Sequence, residues 1–316
     1  MKTAAYESVD VLCVGMGSVD ILVRPVETVS FDTDTVKVDE IRLANGGDAL
    51  NVAVNMARLN NKIAFGGQIG DDTFGHFLIE KMEELGINTQ AVKMSRIAST
   101  GSAICLVRQN GDRSFLYCGG ANELFNPAEL DCGALSSCKI VFIGGTYMMP
   151  GMDGENAATF LQTAQKKGKI TSMDVTWAAD GQWEKVKPCL EHLDYFMPSQ
   201  IEAKMITGKD EVEQMADCLL DHGVKTVVIK MGKNGAYVKN AKECFQCESI
   251  SVAVQDTTGA GDSFNAGFLT GVLKKWNLHK AVKFGCATSA FCIQEMGACS
   301  EGLNYEKVCA VALNAI

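Results

Sequence analysis

A three-layer α/β/α fold with a mostly parallel central sheet is the architecture predicted by this sequence of 316 residues. Short apolar, β-branched runs alternate with segments of helical periodicity, which is the pattern of repeated strand–helix units. Glycine-rich turns follow several of these runs, at the edge where open α/β sheets bind ligands. Because no internal repeat or low-complexity linker interrupts the alternation, we expect one domain spanning residues 1–316.

The first predicted strand, residues 9–14, ends in Gly15-Met16-Gly17 and invites a dinucleotide-binding interpretation. That fingerprint requires a glycine at its sixth position, where this chain has Asp20, and a β-rich segment follows instead of a helix. We therefore interpret Asp20 as an acceptor for sugar hydroxyls at the carboxyl end of the first strand. A simple Asx-type turn remains the structural alternative.

Residues 21–43 lack helical periodicity and read as strands outside the main alternation. They lead into Gly46-Gly47 and a predicted helix that carries Asp48 and Asn51 in its first turn. Paired glycines let a ligand lie against the backbone, and the Asn51 amide offers both a donor and an acceptor to a hydroxyl. Helix capping alone would also explain Asp48 and Asn51.

A strand at 63–69 and a helix at 74–85 come next, followed by a predicted hairpin of strands 101–107 and 114–117 around Asn110-Gly111. The β-rich insertions at about 21–44 and 100–120 are expected to form a small sheet over the site. From Ile140 onward the alternation is regular. It predicts strands at 140–143, 170–174, 195–197 and 226–229, and helices at 157–167, 201–207 and 212–221.

After the last of these strands, Lys230 precedes the turn Gly232-x-x-Gly235. Backbone N–H groups of such a turn can lie along a nucleotide, although a plain strand-to-strand turn is an equal alternative. Residues 278–296 form a predicted helix of small residues, which can pack closely on a flat adenine.

The loop from Asp256 to Asp262, Asp-Thr-Thr-Gly-Ala-Gly-Asp, is the strongest indication of chemistry. Its glycines permit a tight turn into a helix whose apolar residues recur every four positions from Phe264 to Trp276. The N-terminus of such a helix attracts anions, and Asp262 beside it could take a proton from a hydroxyl that attacks a phosphate. A favourable first-turn acid on a well-capped helix is the alternative.

Composition excludes several classes of protein. A net charge of −9 and a pI near 5.1 disfavour nucleic-acid binding through a basic face. The absence of a long apolar run and of an apolar N-terminus predicts no membrane partner and a cytoplasmic location. The 13 cysteines are odd in number, so a complete internal disulfide framework is impossible, and in a reducing cytosol we expect most of them to be small buried apolar residues. The Cys244-x-x-Cys247 spacing lacks a second pair for zinc.

The chain resembles the ribokinase-like sugar kinases of the phosphofructokinase-B family over essentially its whole length. Two motifs carry this resemblance: Gly46-Gly47-x-x-x-Asn51-x-Ala53 and the loop ending at Asp262. Gly-Gly-Asp-Ala-x-Asn, with Gly15-x-x-x-x-Asp20, most resembles a bacterial sugar-kinase branch of poorly defined substrate. The resemblance implies a ribokinase-like fold with a small β-sheet lid, and ATP and Mg²⁺ as cofactors. It also implies a homodimer formed through the lid.

The resemblance also implies roles for individual residues. Asp262 would be the general base, and the amides of the preceding residues would form the anion hole for the γ-phosphoryl group: Gly259, Ala260 and Gly261. The sugar would be held by Asp20, Gly46, Gly47 and Asn51. The nucleotide would be contacted by Lys230, Gly232, Gly235, Ser199, Thr258 and Cys286.

Some positions depart from the family pattern. Its Asn-x-x-Glu motif stands here as Ser199-Gln200-Ile201-Glu202, and the retained Glu202 implies Mg²⁺ bound through water. Cys286 replaces an asparagine that many members carry near the adenine. Asp256 and the carbonyl groups around Thr258 match a monovalent-cation loop of part of the family, which leaves K⁺ open.

The leading interpretation is therefore an ATP-dependent sugar kinase, with two alternatives. A nucleoside kinase of the same fold would need a flat apolar slot for the base. A non-catalytic sugar sensor would not need a base aimed at phosphate. In the predicted lid, Arg113 and Asn122 could select the acceptor, although an exposed turn arginine is the default.

Overall fold

The computed structural model describes residues 7–32, 34–109, 113–130 and 132–314. The strands are β1 Val11–Gly15, β2 Ser18–Arg24, β3 Glu40–Gly46, β4 Ile63–Gly70, β5 Asn88–Ser95, β6 Gly101–Val107, β7 Arg113–Cys118, β8 Ile140–Thr146, β9 Ile170–Val175, β10 Tyr195–Phe196, β11 Thr226–Lys230, β12 Ala236–Asn240 and β13 Cys244–Cys247. The helices are α1 Asp48–Arg58, α2 Thr73–Glu84, α3 Cys132–Ser137, α4 Glu155–Lys166, α5 Lys187–Leu190, α6 Gln200–Thr207, α7 Val212–Asp221, α8 Ala260–Leu273, α9 Leu278–Cys292 and α10 Tyr305–Asn314.

Nine strands form one large sheet in the order β13-β12-β11-β10-β9-β8-β1-β4-β5. All neighbours from β11 through β5 pair in parallel, and β12 and β13 add an antiparallel edge. Parallel strands require crossover connections, so helices cover both faces of the sheet. The predicted mostly parallel α/β fold is confirmed.

Alternation along β1 shows how the two helical layers are built. Leu12 and Val14 pack into one core with α4, α6 and α7, whereas Val11 and Cys13 pack into the opposite core with α1, α2, α8 and α9. Every residue of β1 and β8 is buried, as expected for central strands covered on both faces. Among the described residues, no helix is long and apolar enough to cross a membrane.

A second, four-stranded sheet, here called the lid sheet, has the order β3-β2-β6-β7. Its outer pairs are antiparallel, while β2 and β6 are parallel. The predicted pairing of β6 with β7 is confirmed, but its turn at Asn110-Gly111 lies outside the described residues. The small sheet predicted from the two β-rich insertions is therefore present.

Two helix ends differ from the sequence-based expectation. Helix α8 ends at Leu273, and Trp276 lies beyond it, with its ring against Phe284 of α9 at a centroid distance of 5.4 Å. Helix α9 ends at Cys292 and not near Met296. The chain turns there because the Gln255 amide donates to the Ile293 carbonyl at 2.8 Å, which ties the helix end to the loop before α8.

Candidate active site

The turn into α8 places its first peptide groups in a fixed direction. Gly259 is the N-cap and has a left-handed backbone with φ 69°, a conformation that glycine adopts without strain. An added Cβ at Gly259 would stand 2.2 Å from the Ala298 carbonyl oxygen. The Ala260 amide donates a long hydrogen bond of 3.3 Å to the Thr257 carbonyl. A bound anion would compete with that carbonyl for the Ala260 N–H group. This helix start is suited to an anion.

Asp262 lies in the first turn of α8 and is buried. Asn51 on α1 donates its Nδ2 to Asp262 Oδ2 at 2.9 Å, and Asn45 donates to Asn51 Oδ1 at 2.9 Å. Because Asn51 Oδ1 is already an acceptor for Asn45, the amide must present its donor to Asp262. The pair Asn45–Asn51 therefore fixes the orientation of the carboxylate.

Burial raises the pKa of Asp262 to about 7. The Asn51 hydrogen bond and Lys230 oppose that rise, while the charges of Asp174 and Glu202 add to it. A carboxyl group with a pKa near neutrality is matched to proton transfer at physiological pH.

Asp20 lies on the lid sheet, near enough to Asp262 to feel its charge. The sequence placed Asp20 at the end of the first strand, but β1 stops at Gly15 and Asp20 lies inside β2. Its carboxylate covers Gly46, where an added Cβ would stand 2.0 Å from Asp20 Oδ1. Burial, and then the charge of Asp262, raise the pKa of Asp20 to about 7. Gly46 is therefore required for the approach of this carboxylate.

Gly47 and Asp48 follow Gly46 at the start of α1. Gly47 caps α1 with φ 86°, and an added Cβ would meet the Met16 carbonyl oxygen at 2.6 Å. Asp48 follows as the first residue of α1, with most of its surface covered. Burial and the charges of Asp262 and Asp174 raise the pKa of Asp48 well above its usual value. The sequence-based argument treated Asp48 only as a first-turn acid and did not assign it to the site.

A buried ion pair stands on the other side of Asp262. Lys230, at the end of β11, pairs with Asp174, near the end of β9, and Asn265 of α8 donates to Asp174 Oδ2 at 2.6 Å. The Lys230 amine also lies near the loop from Asp256 to Asp262, since an added Cβ at Gly261 would stand 3.2 Å from Lys230 Nζ. Burial lowers the pKa of Lys230, but Asp174 and Glu202 outweigh it, and the net pKa is raised. Lys230 therefore carries a charge beside the predicted anion hole.

Ser199 and Glu202 form the capping box of α6. The Ser199 amide donates to Glu202 Oε2 at 2.7 Å, and the Glu202 amide donates to Ser199 Oγ at 3.3 Å. Burial, and then Asp174, raise the pKa of Glu202. Among the described residues, no group of three or more His, Cys, Asp or Glu side chains is arranged to hold a metal ion.

A cavity of about 460 Å³ adjoins the start of α8. Four of its lining residues were predicted to contact the nucleotide: Lys230, Gly232, Gly235 and Cys286. Two more, Ala260 and Gly261, belong to the predicted anion hole. Gly232 faces open space, and apolar side chains such as Ile250 and Phe264 supply other walls. Ser199 and Thr258 are not among its lining residues. The size and mixed lining suit a nucleotide.

Asp256, Arg113 and Asn122 have partners that the sequence did not reveal. Arg113 is not an exposed turn residue, because its Nη1 lies 3.1 Å from Asp256 Oδ1. Asn122 is buried and exchanges two hydrogen bonds with the backbone of Gly17, at 3.0 and 3.2 Å. It therefore fixes the turn between β1 and β2.

The chain is similar to known proteins over most of its length. A family model described as pfkB family carbohydrate kinase matches residues 10–304. An ATP-dependent 6-phosphofructokinase of Thermoanaerobacterium thermosaccharolyticum is 27% identical over 297 residues, covering 92% of this chain and 89% of that protein. The ribokinase structure from Thermotoga maritima superposes with a TM-score of 0.83 at 28% identity, covering 97% of this chain and 100% of that one. A putative ribokinase II from E. coli, in complex with ATP and Mg²⁺, superposes with a TM-score of 0.83 at 20% identity, covering 97% and 99%.

Proposed function

Because the chain belongs to the pfkB family of carbohydrate kinases, we propose that it transfers the γ-phosphoryl group of ATP to a sugar hydroxyl with Asp262 as the general base. The observation that carries this assignment is the contact between Asn51 and Asp262 at 2.9 Å. It joins the predicted sugar-binding helix to the predicted phosphate-binding helix at one carboxylate. An acceptor hydroxyl held by Asn51 and Asp20 would then lie within reach of the base.

In this mechanism Asp262 takes the proton of the acceptor hydroxyl as the hydroxyl oxygen attacks the γ-phosphorus, and the bond from that phosphorus to the β–γ bridging oxygen breaks, which releases ADP. The amides at Gly259, Ala260 and Gly261 stabilise the charge on the transferred group, an effect worth about 10²–10³ in rate for one donor. Lys230, held beside Gly261 by Asp174, adds a positive charge at the same place. Little covalent chemistry is needed, since phosphoryl transfer depends mainly on positioning and electrostatics.

The nucleotide would occupy the cavity beside α8, with its phosphates toward Gly261 and its base toward Cys286. Bound Mg²⁺ would neutralise the phosphate charge during transfer. Glu202 fits this ion, because its carboxylate offers the hard oxygen donors that Mg²⁺ prefers. Mg²⁺ also commonly keeps several waters and binds through one or two carboxylates and substrate phosphates.

The test is a panel of acceptors with ATP and Mg²⁺, followed by ADP release. Free sugars, sugar phosphates, sugar acids and nucleosides form its arms, and Asp262→Asn is the matched variant. We expect a sugar to give ADP release that depends on Asp262. Phosphorylation of nucleosides alone would favour the nucleoside-kinase alternative. Sugars that raise thermal stability without any ADP release would favour the sensor.

We further propose that the lid sheet is the surface of a homodimer. Its outer face carries one apolar row that crosses all four strands, Leu43, Ile21, Ile104 and Leu116, and a second that crosses three of them, Ile41, Val23 and Leu106. Ile41 is 67% exposed and Leu116 61% exposed. A contiguous apolar face of this kind marks an interaction surface.

Sedimentation of Ile41→Lys and Leu116→Lys tests the homodimer. Both variants should sediment as monomers, whereas Ile201→Lys, at an exposed position on α6, should behave as the parent protein. A monomeric parent protein at micromolar concentration would contradict the proposal.

A further inference from the structure

An arginine of the lid sheet reaches the loop that leads to the anion hole. Arg113 is the first residue of β7, and its Nη1 lies 3.1 Å from Asp256 Oδ1 and 2.7 Å from Thr257 Oγ1. The Asp256 side chain is only 1% exposed, and that of Arg113 is 26% exposed. The contact therefore joins two segments that are 143 residues apart in the chain.

The Asp256 carboxylate also accepts three hydrogen bonds from the core. Its Oδ1 receives the Thr258 amide at 2.8 Å and Thr258 Oγ1 at 2.7 Å, and its Oδ2 receives the Gly297 amide at 2.9 Å. With Arg113 included, three donors converge on Oδ1 and one reaches Oδ2, and the guanidinium already neutralises the charge of this buried carboxylate. A monovalent cation at Asp256, which the sequence resemblance left open, would be repelled by the positive charge of the Arg113 guanidinium on the same carboxylate. The residues present therefore do not fit K⁺ bound to this carboxylate.

We propose that Arg113 is a positioning residue: it supplies from the lid sheet the positive charge that Asp256 requires, in place of a monovalent cation. Through Asp256 and Thr257, the guanidinium fixes the start of the loop that carries Gly259 and Asp262. The inference rests on the proposed function, in which this loop holds the transferred phosphoryl group.

Physical reasons connect the pair to turnover. A buried carboxylate that loses its cationic partner is strongly destabilising, so the loop would rearrange to reach water. Asp256 is bonded to Gly297, and Gly259 stands against Ala298, so a shift of the carboxylate would be passed to the anion hole. A displacement of about 1 Å in such a site can cost about 10²-fold in rate.

The experiment measures steady-state kinetics in KCl and in choline chloride at equal ionic strength. The parent protein should give the same kcat in both salts. Arg113→Met should lower kcat by about 10- to 100-fold, the usual contribution of a charge-assisted hydrogen bond, with a smaller change in the KM for the sugar. Arg113→Ala should regain activity with millimolar guanidinium. The control Arg108→Met, at an exposed arginine near the end of β6, should match the parent.

A double variant separates charge pairing from simple loss of a side chain. Arg113→Met with Asp256→Asn should be more active and more stable than Arg113→Met alone, because no unpaired buried charge remains. Hydrogen exchange of the 256–262 segment gives a readout that does not depend on activity, and it should be faster in Arg113→Met than in the parent.

Each contrary outcome overturns the inference. The first is a parent enzyme whose kcat and thermal stability are higher in KCl than in choline chloride. The second is an Arg113→Met variant with undiminished kcat, and the third is unchanged hydrogen exchange of residues 256–262 in that variant. Failure of the proposed function has a different signature, namely turnover that does not depend on Asp262. In that case the exchange and thermal measurements still decide the role of Arg113.

Discussion

Replacing Asp262 with asparagine should abolish most activity and at the same time stabilise the fold. The asparagine keeps the shape of the side chain, and its Oδ1 can still accept the bond that Asn51 donates at 2.9 Å in the parent protein. The proton acceptor is lost, however. We expect kcat to fall by about 10²–10⁴, the usual contribution of general base catalysis.

The stability gain follows from the pKa of Asp262, which burial raises from 3.8 to about 7. A raised carboxyl pKa means that the folded state prefers the protonated form, so ionisation of Asp262 costs stability as the pH rises. At about 1.36 kcal/mol for each pKa unit, the full cost above pH 7 is about 4 kcal/mol. Asp262→Asn removes this cost. The variant should therefore gain stability over the parent between pH 4 and 7, with no further gain above.

Two measurements check both effects. In urea unfolding, the parent and Asp262→Asn should have similar free energies of unfolding at pH 4. At pH 8 the variant should be the more stable of the two. In the parent, kcat/KM should rise tenfold for each pH unit below about 7 and then level off, and the residual activity of the variant should lack that rise. Asp10→Asn, at the opposite end of β1, is the control. A variant that turns over normally, or that is less stable at pH 8, would refute the reasoning.

Three further substitutions test other parts of the site. Gly259→Ala should lower kcat and destabilise the protein by at least about 1 kcal/mol, because its Cβ meets Ala298 and its φ of 69° is strained for alanine; calorimetry and kinetics measure both effects. Lys230→Met should raise the KM for ATP and lower kcat by about 10²-fold or more, and it should lose stability because Asp174 stays buried without its cation; an unchanged KM for ATP would place the nucleotide elsewhere. Asp20→Asn should raise the KM for the sugar by about tenfold, the worth of one hydrogen bond, while the KM for ATP, measured in the same assay, stays constant.

The sequence was sufficient to predict the fold because the strand–helix alternation is local and regular. The periodic apolar runs placed β1, β8 and β11 correctly, and these strands define the sheet. The end of α9 was misplaced because it depends on a contact from a distant loop, the bond from Gln255 to Ile293. No local pattern carries that information.

The same distinction applies to the candidate site. Asn51 and Asp262 lie in short motifs whose spacing is visible in the chain, and the structure brings them into contact. Asp174 and Asn265 were missed, and Arg113 was named only as a lid residue that could select the acceptor, because each acquires its role from a partner on another element. Asp174 lies near the carboxyl end of a parallel strand, where ligands bind, and that position was the one available signal.

The packing of α1 against α8 has a consequence for product release. Asn51 bonds to Asp262, and one turn further along Asn55 bonds to Ser263 Oγ at 3.0 Å between buried side chains. These two contacts join α1 to α8, while Asn45, Asp20 and Arg113 reach the same region from the lid sheet. Movement of the lid sheet to release the product would therefore break or strain the bonds from Asn45 to Asn51 and from Arg113 to Asp256. In the proposed mechanism, return of the lid sheet would therefore orient the base again before each transfer.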